Sequence, residues 1–268
     1  MSLMRLTPLA LLASLGVAAT VHAQASASAQ VALNSQYVWR GVTSTNRFVI
    51  QPDLSVSAPF RALTFTAGAW GNIEPARYDN PDDISSLGGL PGPLVTQSEL
   101  YAEVSGATFG IDAAFGAHVY LYPHVNDLAD YNTTELYATA SFESSVSPSL
   151  TVAYDVARIR GAYVEAALAR AITGERRGAV TLSVAAGFSA GQAEDPRGRD
   201  LAYFERDGLT HVDASATGTV QLGRFSLAPE AHVVVAYDPL ATVTAPDVTR
   251  RAKLWFGTTI SWSSGSDR

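Results

Sequence analysis

Beyond residue 24 the sequence alternates apolar and polar residues with a period of two, the spacing of a strand with one face in each environment. Phe65, Ala67 and Ala69 oppose Thr64, Thr66 and Gly68. Leu100, Ala102 and Val104 oppose Gln97, Glu99, Tyr101 and Glu103. Val212, Ala214, Ala216 and Val220 oppose His211, Asp213, Ser215, Thr217 and Gln221. About twelve such runs occur, each of roughly ten residues. Strands of soluble proteins average about five or six residues, whereas a tilted membrane-crossing strand needs about 9–11. In hydrocarbon every backbone donor and acceptor must be paired, so a spanning sheet must have no edges. The expected fold is therefore all-β: a transmembrane antiparallel up-and-down barrel of about twelve strands. A soluble β-sandwich or lipocalin-like barrel would also alternate, but it would need a charged exterior.

Composition agrees with the barrel. Only 16% of the 268 residues are charged, against roughly 25% in ordinary soluble domains, yet mean hydropathy is near zero at +0.09. Strands that are half apolar and half polar average to that value. The net charge is −7 and Lys253 is the sole lysine. A nucleic-acid partner is therefore not expected, because phosphate contacts need clustered basic residues. The absence of cysteine excludes a disulfide framework, a thiolate metal site and a cysteine nucleophile.

Residues 1–23 read as a cleaved export signal. Arg5 supplies a positive charge, Leu6–Val21 is apolar and small, and Val21-His22-Ala23 fits the small-x-small cleavage rule. The apolar run is shorter than the ~20 residues a spanning helix needs. Residues 24–268 would then form one barrel domain of net charge −8, since only Arg5 is lost among the charges.

The connections alternate in character. Pro59–Ala62, Gly106–Thr108, Glu143–Ser149, Thr173–Gly178 and Gly223–Arg224 are tight. Gly41–Arg47, Asn72–Thr96, Pro123–Tyr131, Ser189–Thr210 and Asp238–Arg251 are longer and polar, with Arg158–Gly161 a short member of that set. Short periplasmic turns and longer external loops are the layout of bacterial outer-membrane barrels, and an even strand count puts both termini at the short-turn end. Aromatic girdles are expected from Tyr37, Trp39, Trp70, Tyr120 and Tyr122 at the long-loop end, and from Phe60, Phe142, Phe225 and Trp262 at the other. Gly257–Trp262 resembles the C-terminal signal read by the barrel-assembly machinery, a partner expected during insertion.

Ser35-Gln36-Tyr37-Val38-Trp39-Arg40-Gly41-Val42-Thr43 resembles the S-x-Y-x-[WF]-R-G-[IV]-[ST] signature of the TorF-type porin family (Gcw_chp). Ala67-Gly68-Ala69-Trp70-Gly71-Asn72 is similar to that family's G-x-W-[GA]-[SN] strand end. The resemblance is clearest over Gln30–Asn72, and departs after Thr43, where Ser44-Thr45-Asn46-Arg47 replaces a turn with glutamine and serine or aspartate. It implies an outer-membrane barrel assigned to passive transport.

If the apolar face meets lipid, the other face lines a pore. The expected pore-lining residues are Arg40, Glu99, Glu103, Asp112, His118, Glu135, Asp155, Glu165, His211, Asp213, Glu230 and His232, joined by Lys253. A wall so rich in carboxylates favours cations; alternatively, several pair with Arg40, Lys253 or tyrosines and tie the barrel together. Arg40 has two readings, a pore-lining cation at the mouth or an ion pair that locks the first strand. Twelve strands lie between the filled eight-stranded barrels and the open 16–18-stranded porins. The expected function is passive diffusion of small hydrophilic solutes, with cations preferred and loops Asn72–Thr96 and Ser189–Thr210 as gates. The alternative is a non-conducting barrel whose external loops bind a ligand or partner. No enzyme, cofactor or metal is expected. No serine lies two residues from His118, His124, His211 or His232, and the acidic loop clusters Asp79, Asp82, Asp83 and Glu194-Asp195 read as solvated. The barrel is expected to be a monomer in outer-membrane lipid.

Overall fold

The computed structural model describes residues 25–75, 93–123, 132–175, 178–193, 202–245 and 248–264. The export signal at 1–23, the histidine at 124 and both acidic loop clusters lie outside these residues, as does most of Asn72–Thr96.

The described residues form sixteen strands, in chain order: β1 (Ser26–Asn34), β2 (Tyr37–Trp39), β3 (Val42–Thr45), β4 (Val49–Phe60), β5 (Leu63–Glu74), β6 (Leu94–Thr108), β7 (Ile111–Leu121) and β8 (Thr133–Phe142). They continue with β9 (Ser147–Asp155), β10 (Ala162–Glu175), β11 (Gly178–Ala190), β12 (Gly208–Leu222), β13 (Phe225–Ala236), β14 (Val243–Ala245), β15 (Val248–Thr249) and β16 (Ala252–Ser263). Twelve of them close into one antiparallel barrel, each paired with its neighbours and β1 paired with both β4 and β16. The remaining four make two small hairpins, β2–β3 and β14–β15. The first and last barrel strands meet at the short-turn end, where Ser264 N–H donates to Ala27 O at 2.8 Å and Ala27 N–H donates to Ser264 Oγ at 2.7 Å.

Strand parity sorts the side chains as the alternation requires. Leu54, Phe65, Leu100, Phe115, Leu150, Leu182 and Phe256 stand exposed on the outer wall. Small polar residues face inward and bridge strands, as in Ser28–Ser55 at 2.6 Å, Ser57–Thr66 at 2.9 Å and Ser183–Ser215 at 2.6 Å. An apolar exterior around a polar interior reverses the soluble-protein pattern and suits a hydrocarbon surround.

Several boundaries differ from the sequence expectation. The short turn after β6 is Phe109-Gly110, not Gly106–Thr108. Both turn residues have positive φ (51° and 76°), the type I′ geometry that matches strand twist. Phe109 is therefore a fully exposed turn residue rather than part of β7. Arg158–Gly161 is short because the Asp155 carboxylate organises it. Asp155 Oδ1 accepts the N–H groups of Ala157, Arg158 and Ile159 at 2.7–3.1 Å, and Arg160 turns the chain with φ 60°.

The largest correction concerns the first run. Its alternation continues to Trp39, but the barrel strand ends at Asn34, and Gly41–Arg47 is not an external loop. Ser35 N–H makes the last backbone hydrogen bond with β16, to Phe256 O at 2.8 Å. The chain then folds inward as the β2–β3 hairpin, with Arg40 (φ 48°) and Gly41 (φ 82°) as its two-residue turn.

The outer wall yields a prediction. Leu54 lies midway along β4 and is 62% exposed. In lipid vesicles Leu54→Arg should cost ~2–4 kcal/mol in a urea unfolding titration, and Phe109→Arg at the turn about 1 kcal/mol or less. Equal costs would mean that the wall does not meet hydrocarbon.

Candidate functional site: an inward hairpin above an acidic interior

The hairpin carries its most polar residue at its tip. Arg40 donates to both oxygens of Glu135 on β8, Nη1 to Oε1 at 2.8 Å and Nη2 to Oε2 at 2.6 Å. Tyr120 O–H donates to the same carboxylate at 3.1 Å. The guanidinium lies over the rings of Trp39 (4.4 Å) and Tyr163 (4.2 Å). The side chains of Arg40 and Glu135 are only 12% and 2% exposed, so each charge depends on the other for solvation.

The rest of the hairpin is fixed from all sides. Lys253 Nζ donates to Gly41 O at 2.6 Å, and Thr45 Oγ1 donates to Glu74 Oε1 at 2.8 Å. Tyr37 O–H donates to Gln97 Oε1 at 3.2 Å, and its ring lies 5.7 Å from that of Trp70. Gly41 packs against His211. An added Cβ would stand 2.6 Å from the His211 Cβ, so only glycine fits, on grounds of both space and φ. Thr43 is fully buried. Trp39 meets Tyr203 edge-on at 5.6 Å, and Tyr203 O–H donates to Asp155 at 2.7 Å. Burial, and then the Asp155 carboxylate, hold the Tyr203 phenol well above its ordinary pKa, so it stays a donor. Phe204 and Gln192 are completely buried beside it. Packed side chains thus crowd the long-loop end of the barrel interior among the described residues.

Deeper in the barrel the interior is acidic. On one wall His118 Nδ1 pairs closely with Glu99, and its ring lies among Tyr101, Tyr120 and Tyr137. Tyr101 O–H donates to Asp53 at 3.0 Å, and Tyr137 O–H to Glu103 at 2.7 Å. On the opposite wall His232 lies between two carboxylates, Asp213 at 2.8 Å and Glu230 at 3.5 Å, and stacks flat on Trp255 with centroids 3.8 Å apart. Tyr163 O–H donates to Glu165 at 2.9 Å. Asp112 is exposed at the short-turn end. There it lines a cavity of about 280 Å³ with Thr64, Thr139, Ser141 and their neighbours.

The twelve sequence-predicted residues therefore separate into groups. Arg40, Glu135 and His211 form or hold the hairpin. Asp155 organises the β9–β10 loop. Glu99, His118, Glu103, Glu165, Asp213, Glu230 and His232 line the middle of the interior, and Asp112 its short-turn end. Of the two readings of Arg40, the geometry matches the ion pair, although Arg40 locks a hairpin rather than the first strand. Four of the residues expected in the girdle at the long-loop end, Tyr37, Trp39, Trp70 and Tyr120, turn inward instead, and exposed aromatics there are Phe48, Tyr154 and Tyr237. Phe60, Phe142 and Phe225 do stand exposed at the other end. Asp53 and Trp255 went unrecognised in the sequence, though parity with Ser55 and Lys253 would have put both inside. The string Gly187-Phe188-Ser189-Ala190-Gly191 also went unnoticed. It spells G-x-S-x-G, but Ser189 lies within β11, paired with Tyr163 and Gly208, and its hydroxyl is buried without a partner. A nucleophile elbow needs a strand-to-helix turn, which is missing here. Among the described residues no group of His, Asp or Glu is placed to hold a metal ion.

The family described as "Bacterial protein of unknown function (Gcw_chp)" matches residues 18–169. Among solved structures, an outer membrane channel from Pseudomonas putida F1 is similar with a TM-score of 0.54 and 11% identity, over 92% of this chain and 98% of that one. LpxR from Salmonella typhimurium is similar with a TM-score of 0.50 and 10% identity, over 88% of this chain and 99% of that one. At such identities the likeness concerns the fold alone, an outer-membrane type of barrel. No curated protein matches the sequence.

The hairpin offers a direct test. The chain has no cysteine, so Thr43→Cys is a unique reporter of hairpin opening. Breaking a buried pair costs ~3–5 kcal/mol, and each 1.4 kcal/mol is about tenfold in an equilibrium. Maleimide should label Thr43→Cys slowly, and at least ~10-fold faster once Glu135→Ala is added. Equal rates would show that the ion pair does not hold the hairpin.

Proposed function

The chain belongs to the Gcw_chp family, and from that premise we propose that it is an outer-membrane channel for passive diffusion of small hydrophilic solutes, with cations preferred. One observation carries the reading. Asp53, Glu99, Glu103, Asp112, Glu165, Asp213 and Glu230 all face the interior below the hairpin, while two buried cations, Arg40 and Lys253, both engage the hairpin or its partners. His118 and His232 each lie against these carboxylates. An acidic wall concentrates cations and repels anions before any specific contact is made. Small hydroxyl side chains between the charged groups leave room and exchange hydrogen bonds with a passing hydrated solute.

The chain would reach the outer membrane after removal of residues 1–23, insert through the assembly machinery, and work as a monomer in lipid, since one copy closes all twelve strands. The hairpin, with Gln192, Tyr203 and Phe204 of Ser189–Thr210 packed beside it, forms a constriction at the external mouth. No reaction is proposed for it. The dense packing around Thr43, Phe204 and Gln192 favours the second reading, a non-conducting barrel whose external loops bind a ligand or partner.

Planar-bilayer recording separates the two. The channel reading expects discrete steps and a reversal potential in a salt gradient of the sign for cations. Asp112→Asn combined with Asp213→Asn should move that potential toward zero. Absence of steps above leak favours the non-conducting barrel, and an unmoved reversal potential removes the acidic wall as the source of preference.

A further inference from the structure

Asn34, Gly257 and Glu230 stand side by side on β1, β16 and β13, at one level and all facing inward. Gly257 has no side chain, and its neighbours lean into the space left open. A Cβ added there would collide with Asn34 Oδ1 and come within 2.8 Å of Glu230 Oε1. Two oxygens therefore converge on one point. Asn34 is only 6% exposed, and its Oδ1 is buried with no hydrogen-bond partner. The other carboxylate oxygen of Glu230, Oε2, faces His232 Nε2 at 3.5 Å.

The orientation of Asn34 is set by a ladder of amides running across four strands. Asn34 Nδ2 donates to Gln51 Oε1 at 2.9 Å, Gln51 Nε2 to Asn72 Oδ1 at 2.9 Å, and Asn72 Nδ2 to Thr96 Oγ1 at 2.8 Å. A threonine hydroxyl donates as readily as it accepts, so the same ladder has a reverse form. In that form Asn34 would turn its Nδ2 toward Glu230 and satisfy the carboxylate. The ladder instead runs the other way and presents an oxygen to an anion. Two acceptors facing one point are unfavourable unless a positive charge or a donor lies between them.

We propose that the space above Gly257 is a binding site for a small inorganic cation of the alkali-metal type, held between Asn34 Oδ1 and Glu230 Oε1. Oxygen donors, one of them anionic, suit a hard cation. The site deepens the cation-preferring channel reading and rests on it for the supply of ions. It is a resting place on the wall where a permeating ion exchanges water for protein oxygens. Its occupation and the direction of the amide ladder are coupled, because only the direction found here offers the cation an oxygen.

The test uses crystals of the full barrel grown or soaked in rubidium chloride, with data collected at the rubidium absorption edge. An anomalous peak between Asn34 and Glu230 is expected. It should be lost in Gly257→Ala, where a methyl fills the point, and in Glu230→Gln, which keeps the shape and removes the charge. A wild-type map without the peak overturns the proposal, as does a peak that survives both substitutions. Bilayer recording keeps the two readings apart. Cation-selective steps with no peak remove the site and leave the channel, whereas a peak in a barrel without steps supports the site and removes the channel.

Discussion

Backbone hydrogen bonding in a medium without water governs this structure. Each peptide group on the membrane-crossing strands needs a partner, and only a closed sheet supplies one for all of them. Closure fixes much else. It requires the pairing of β1 with β16, brings residues 27 and 264 together, and divides every strand into a lipid face and an interior face. Polar and charged side chains have only the interior to occupy, and their local chemistry follows from how much water each level of that interior keeps.

The two ends of the interior solve the problem differently. Toward the short turns the wall is built of serine, threonine, alanine and glycine around the cavity beside Asp112, so the space remains open and hydroxyls pair across strands. Toward the long loops the hairpin displaces water, and charges there must be neutralised by protein groups. Arg40 is matched to Glu135 with two hydrogen bonds and two aromatic faces, and Lys253 caps the hairpin turn through Gly41 O. Commitment of these cations above leaves carboxylates in excess below. The crowded mouth and the acidic lumen are consequences of the same allocation of charge.

Much of this was legible in the sequence. Period-two alternation with long runs gave the barrel, the strand count and the inward position of the acidic residues, because parity is a local property. The hairpin was not legible. Tyr37–Trp39 continues the alternation of β1, and nothing local distinguishes a strand that stays in the wall from one that folds inside the barrel. Arg40-Gly41 carried a signal, since a glycine beside a bulky residue suits a two-residue turn with positive φ, but the signal fits an external turn equally well. The partners of Arg40 were also hidden, for Glu135 lies 95 residues away and is brought near only by closure. The inward aromatics misled for a related reason. A tyrosine at a strand end suits a membrane interface and a packed interior equally. Asp155 reads as one more lumen carboxylate in the sequence. Its role in the turn appears only once Ala157, Arg158 and Ile159 fold back over it.

The central claim is that the inward hairpin narrows the acidic interior at its long-loop end. Single-channel recording of the wild-type barrel against a variant with residues 37–45 replaced by a glycine-serine linker of equal length tests it most directly. The account predicts a larger conductance in the variant, with cation preference retained because the carboxylates below are untouched. A variant that conducts no better than the wild type would contradict it, and would place the constriction outside the hairpin.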